Sequence, residues 1–159
     1  MPRHKTKALV REPQPDRMYN DKQVTRIINR VMLNGKKQLA ERLVYEGMEK
    51  AAKKLKVDNP LEVFEAAMNN IRPSLETRSR RVGGANYQIP FEVRGQRQSH
   101  LLTMWFTQAA RARKGMSMAD RIAAELVDAY NSQGAAVKKK EDTHKMAEAN
   151  RAFAHFARG

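Results

Sequence analysis

The chain is predicted to be mainly α: a single domain of six helices with a protruding β-hairpin between the third and fourth, a basic extended N-terminal arm and a basic C-terminal helix. Three observations lead there. Apolar residues recur at helical spacing in five long segments and more weakly in a sixth. One glycine-tipped stretch, SRRVGGANYQIP at residues 79–90, alternates instead. Finally, 31 Lys and Arg stand against 17 Asp and Glu, a formal net charge of +14. A chain of 159 residues fits one compact domain. Such a domain buries roughly 70% of the surface its unfolded form exposes, and 41% hydrophobic residues provide the core despite a mean hydropathy of -0.75.

The opening MPRHKTKALVREPQPDR contains Pro2, Pro13 and Pro15 and no sustained apolar period, so residues 1–18 are expected as an arm carrying Arg3, Lys5, Lys7 and Arg11. The domain is expected over 19–156 and a short tail over 157–159. In the first helix, Val24, Ile27, Ile28, Val31 and Met32 form one stripe, with Asn20 or Asp21 as the cap and Asn34-Gly35 as the stop. The second runs from about Lys37 to Leu55, with Leu39, Leu43, Val44, Met48, Ala51, Ala52 and Leu55 inward and Lys50, Lys53 and Lys54 outward. The third has Asn59 as cap, Pro60 in the first turn and Glu62 completing a capping box; Leu61, Phe64, Met68 and Ile71 mark its buried face until Pro73.

Strands LETRSRRV and YQIPFEV flank GGAN, a turn signal because both glycines accept positive φ, so a hairpin is expected at about 74–94. Tyr87, Ile89, Phe91 and Val93 share a face, but the first strand does not reciprocate, and its three arginines (Arg78, Arg80, Arg81) leave the tip with nothing to bury. Since an isolated two-stranded ribbon is marginal in water, the expectation is an external nucleic-acid partner that holds it. The fourth helix buries Leu101, Leu102, Trp105, Phe106 and Ala109, which places the tryptophan ring in the core rather than against a base. The fifth starts at Ser117 with Asp120 three residues on, buries Ile122, Ala123, Leu126, Val127 and Tyr130, and closes at Gly134. The sixth has a weak stripe of Val137, Met146, Ala149, Phe153 and Phe156.

A compact body carrying +14 repels itself unless a polyanion neutralises it, so nucleic acid is the expected partner. A membrane is not: the longest apolar runs fall far short of the ~20 residues a span requires, and no segment has a secretory core. An intracellular, cytoplasmic location follows as an expectation. The chain has no cysteine, which excludes disulfides, thiolate nucleophiles and cysteine-ligated zinc. The histidines His4, His100, His144 and His155 are never three or four residues apart, so no helix face offers a metal an imidazole pair. No metal and no cofactor are expected. NGKK at the first turn lacks the leading glycine and trailing Ser or Thr of a P-loop, so Lys36 and Lys37 read as phosphate contacts. ARARKG sets Arg111, Arg113 and Lys114 at a helix end, and KKKEDTHK sets Lys138, Lys139, Lys140 and Lys145 on a weakly amphipathic helix. Asp142 near His144 is a pair without a nucleophile, so no catalytic site, small-molecule substrate or enzyme is expected.

Three stretches, GKK after the first helix, ETRSRRVGGANYQIPFEVR, and GAAVKKKEDTHKMAEANRAFAHF, closely resemble the bacterial form of the small-subunit ribosomal protein seven family, and the likeness covers essentially the whole chain. The resemblance implies a structural constituent of the small subunit and a primary binder of the 3′ major domain of its rRNA, nucleating assembly of the head. It implies a position at the exit-site tRNA and mRNA exit region, with ribosomal proteins nine and eleven nearby. Carried over residue by residue, the resemblance implies rRNA held by Arg3, Lys5, Lys7, Arg11, Lys36, Lys37, Arg78, Arg94, Arg97, Arg111, Arg113 and Lys114, and by Lys138, Lys139 and Lys140. Arg80, Arg81, Gly83, Gly84, Asn86 and Lys145 face tRNA. Members often end in arginine and tryptophan, whereas this chain ends Phe156-Ala157-Arg158-Gly159. The alternatives are a winged-helix DNA binder, for which no recognition helix stands out, and an RNA-modifying enzyme.

Overall fold

The computed structural model describes residues 12–158, with side chains through residue 156. The described residues form six α-helices, a two-stranded hairpin between the third and fourth, and a closing 3₁₀ helix. Helix α1 (Lys22–Val31) begins where the Asp21 carboxylate accepts the N–H groups of Gln23 at 2.6 Å and Val24 at 2.8 Å. Asn34 and Gly35, at φ 52 and 73, turn the chain into α2 (Lys37–Leu55). Helix α3 (Pro60–Ile71) has Leu61 N–H donating to the Asn59 side chain at 3.0 Å. Glu62 closes that cap differently from the expected box, accepting from the Asn59 side-chain amide at 3.2 Å.

Strands β1 (Leu75–Val82) and β2 (Ala85–Glu92) pair in register from Leu75 with Glu92 to Val82 with Ala85. The turn is only Gly83-Gly84, at φ 56 and 90, the left-handed pair that a tight two-residue hairpin needs; Ala85 and Asn86 belong to β2 rather than to the loop. Helix α4 (Gly95–Ala112) follows, then α5 (Met118–Tyr130), capped by Ser117. Helix α6 (Gly134–Ala149) gives way to the 3₁₀ helix Arg151–Arg158.

Helix α4 packs against α1, α5 and α6 and touches α3, while α5 packs against α2, α3, α4 and α6. All five of its expected core residues are buried, Trp105 among them. Helices α2 and α5 cross so closely at Gly47 that a Cβ there would lie 2.7 Å from Ile122 Cγ2 and 3.1 Å from the Ala119 carbonyl oxygen. Two inward expectations fail at helix ends: Leu39 and Tyr130 are exposed, while their neighbours Ala40 and Ala129 take the buried positions. Lys50, expected outward, is half-buried between Glu46 at 2.8 Å and Asp120 at 2.7 Å.

The sixth helix differs most from expectation. Its buried residues are Ala136, Val137, Thr143 and Ala147, whereas Met146 and Ala149 are exposed. The α-helical period stops at Ala149, so Phe153 and Phe156 do not extend its stripe; their rings lie 5.1 and 5.5 Å from that of Tyr87 on β2. Arg80 donates to the Phe156 carbonyl at 2.9 Å. The tip, residues 83–86, is exposed as expected, but the ribbon's middle is covered by the chain's own C-terminal turn, and nearer its base Ile89 is fully buried. At its base the ribbon is fixed to α6 by His144, whose Nε2 accepts from Ser74 N–H at 3.1 Å and Leu75 N–H at 3.4 Å.

The N-terminal side is tied down earlier than the expected boundary at residue 18. The buried Asp16 carboxylate accepts the N–H groups of Met18, Tyr19 and Asp21 at 3.0, 2.8 and 2.8 Å and the Tyr45 hydroxyl at 3.2 Å. Burial alone would raise its pKa, but these donors outweigh burial and hold it below the usual value. Burial, and then the Asp16 carboxylate beside it, push Tyr45 up to about 12.

Three outcomes are expected. Gly47→Ala overpacks the α2–α5 crossing and lowers stability by about 1–3 kcal/mol, measured by urea denaturation. Ending the chain at Asn150 speeds amide exchange through residues 78–89 while the melting temperature of the helices barely moves, because the removed turn covers only the ribbon. Burial, and then the Lys140 charge, lower the pKa of His144 below 6.5, so its neutral form is the one folding favours. Its contribution to stability is full above pH 6.5 and lost as pH falls through the depressed value. A titration of melting temperature shows this fall, and His144→Gln, which retains an acceptor but does not titrate, flattens it.

Candidate nucleic-acid interface

The cations singled out in the sequence serve three different purposes in the fold. Some hold the domain together. Arg113 turns inward, donating to Glu125 Oε2 from Nε at 3.0 Å and Nη2 at 2.7 Å and pairing also with Asp128. Burial acts to lower its pKa, and the two carboxylates more than reverse this, so it stays charged. Glu125 is itself fully buried and accepts the Ala136 N–H at 3.0 Å, capping the first turn of α6. Arg111 donates to the terminal carbonyls of α1, at Arg30 (3.1 Å) and Val31 (3.4 Å), where a cation meets the negative end of the helix dipole. Lys140 donates to the Asn70 carbonyl at 2.8 Å.

A second set is paired although its side chains are exposed. Arg78 and Arg97 both grip Glu76, and Arg94 pairs with Glu92 at 2.6 Å on the surface. Arg80 belongs here through its bond to Phe156. A third set stands exposed: Lys36 and Lys37 at the start of α2, with Glu41 as a 3.9 Å partner of Lys37, then Arg81, Lys114, Lys138, Lys139 and Lys145. Gly83, Gly84 and Asn86 form the bare hairpin tip. Arg3, Lys5, Lys7 and Arg11 lie outside the described residues, as do the side chains of the 157–159 tail.

Cations outside the motifs named above line a further concavity. An open groove of about 970 Å³ runs between α1 and the start of α4, with Lys22, Arg26, Arg30 and Arg72 against a single carboxylate, Glu12. Arg26 bridges the walls, donating to Ser99 Oγ at 3.0 Å and Gln23 Oε1 at 3.2 Å. Gly95 and Gln96, which open the helix, line the groove, and no N-cap side chain bonds its first turn, so the positive end of the helix dipole lies beside it. Gln98 ties this end to the hairpin base, donating to the Pro73 carbonyl at 2.7 Å. Residues 22, 26 and 30 recur every four positions opposite the apolar stripe, a signal legible in the sequence; the placement of Arg72 beside them needs the tertiary fold.

The four cations of the groove can neutralise phosphates laid along it. His144 is turned to the hairpin base, away from Asp142, which lines a shallow depression with Lys138 and Lys145. Among the described residues no acidic or histidine cluster could hold a metal, and no helix is long and apolar enough to cross a membrane.

Residues 2–151 match the family model described as ribosomal protein S7p/S5e. The chain is 58% identical over 146 residues to the small ribosomal subunit protein uS7 of Symbiobacterium thermophilum, covering 92% of this chain and 93% of the relative. It is 57% identical over 152 residues to uS7 of Streptococcus agalactiae serotype Ia, covering 96% and 97%. With uS7 of Thermosipho africanus it shares 53% over 150 residues, covering 94% and 96%. A match of this extent, over a bundle whose hairpin and cationic groove lie side by side, makes the chain a member of the ribosomal protein S7p/S5e family.

Proposed function

We propose that this chain is a primary binder of the 3′ major domain of small-subunit rRNA, that it nucleates assembly of the head, and that it lines the exit-site tRNA and mRNA region. The family is structural and not enzymatic, and its relatives carry small-subunit names. The observation that carries the finer reading is the groove between α1 and α4, four cations to one carboxylate beside an uncapped helix N-terminus.

RNA duplexes hide their bases in a deep, narrow groove, so a rigid cationic concavity of this kind selects backbone shape more than sequence. On this reading the rRNA lies along the groove and spreads to Lys36 and Lys37, to Arg78, Arg94 and Arg97 at the hairpin base, to Arg111 and Lys114, and to Lys138 and Lys139. Arg113 and Lys140 act from within, by fixing the helices that carry the others. The arm of residues 1–18, with Arg3, Lys5, Lys7 and Arg11, continues the contact beyond the helical domain of residues 19–156. Arg80, Arg81, Gly83, Gly84 and Asn86, with Lys145 on α6, face tRNA and messenger. Ribosomal proteins nine and eleven are the proposed neighbours.

The test is binding of the full chain to a transcript of the 3′ major domain. Replacing Arg26, Arg30 and Arg72 together by Gln should weaken binding and reduce the slope of log K against log salt by roughly 2–3, at about 0.7–0.9 per phosphate contact. An unchanged slope moves the contact elsewhere. Displacement of the transcript by an equal nucleotide concentration of DNA duplex overturns RNA as the partner.

A further inference from the structure

Glu76 stands out in the ribbon. It is 5% exposed, although a carboxylate is rarely buried without a partner, and it faces Phe91 across the two strands. Its two oxygens hold two arginines from different elements. Oε1 accepts from Arg78 Nε on β1 at 2.6 Å and pairs with its Nη2; Oε2 accepts from Arg97 Nε at 3.0 Å and lies 2.9 Å from its Nη2, in the first turn of α4. Arg78 is further fixed over the Phe91 ring, 5.2 Å from its centroid. Each guanidinium offers its Nε/Nη2 edge to the carboxylate, which leaves Nη1 uncommitted to it. The two side chains remain 55% and 49% exposed. The cluster therefore carries one net positive charge and shows solvent a pair of arginines already set in place.

We propose that Glu76 is a positioning residue for RNA binding: it holds Arg78 and Arg97 side by side so that their outer edges meet phosphodiester oxygens without first being ordered. The proposal rests on the rRNA-binding reading above and adds to it a residue of the wrong charge for a polyanion site. Two effects oppose each other at this position. By charge alone, a carboxylate on the binding face repels RNA, and removing it should tighten binding. By preorganisation, two long side chains released from their anchor lose rotamer freedom on binding, and removing the carboxylate should weaken it. The second effect is the larger one here, because each planar group is held at two nitrogens on its own carboxylate oxygen while the surviving charge of the cluster stays positive.

The experiment compares the wild-type chain with Glu76→Gln, Arg97→Lys and the double variant for affinity to a 3′ major domain transcript at fixed salt. Arginine Nε–H resonances and backbone amide protection are recorded in the free protein. Positioning predicts that Glu76→Gln weakens binding about 3- to 10-fold although it adds a net positive charge. It also predicts that Arg97→Lys costs little more once Glu76 is gone. The protected Nε–H signals of Arg78 and Arg97 are lost in Glu76→Gln while amides 75–92 stay protected. Equal or tighter binding, additive losses, or loss of backbone protection across the ribbon each overturns the proposal, the last by making Glu76 a scaffold residue. Failure of the wild-type chain to bind the transcript instead removes the rRNA reading itself and leaves nothing for Glu76 to position.

Discussion

Buried carboxylates are the joints of this positively charged molecule. In a chain with net charge +14, cations are plentiful and repel one another, so a negative group inside the fold draws several donors at once. Asp16 gathers three backbone N–H groups and a tyrosine where the N-terminal segment meets α1 and α2. Glu76 joins the ribbon to α4, and Glu125 joins the end of α4 to the start of α6. Several of the groups they gather lie at element ends: Asp21 before α1, Arg97 in the first turn of α4, Arg113 at its C-terminus and Ala136 in the first turn of α6. A buried charge left alone is far costlier than a paired one, so these contacts specify the angles between elements more than they add to the core. The helices themselves rest on ordinary apolar burial: Phe64, Phe106, Ile27, Met68, Leu102 and their neighbours.

Those joints also decide which cations are available to a partner. Arg113 and Arg111 look alike with Lys114 in the sequence, yet Glu125 and Asp128 turn the first inward, the second stays exposed while bonding the end of α1, and the lysine stands on the surface. No local pattern distinguishes them, since an arginine reaching for a buried carboxylate and one reaching for phosphate have the same neighbours along the chain. By contrast, the helix starts at Asp21, Asn59 and Ser117 were legible because a cap acts within three residues. The turn at Gly83-Gly84 was legible because few residues tolerate its φ values. The groove lay between: the spacing of Lys22, Arg26 and Arg30 is written in α1, but its other wall comes from residues some seventy positions away.

The same limit explains the sixth helix. Periodicity records which positions are apolar, not what covers them, and Phe153 and Phe156 were apolar for the sake of Tyr87 rather than of the bundle. The ribbon thereby divides into three parts with different physics. Its base is locked by Glu76, His144 and the buried Ile89; its middle is covered by the C-terminal turn; its tip, from Gly83 to Asn86, is exposed. A partner that meets the tip therefore orders a few residues rather than a whole hairpin, because the chain has already fixed the rest. Since association loses free energy for every group it must immobilise, a ribbon braced from within can bind through a small contact that an unbraced one could not sustain.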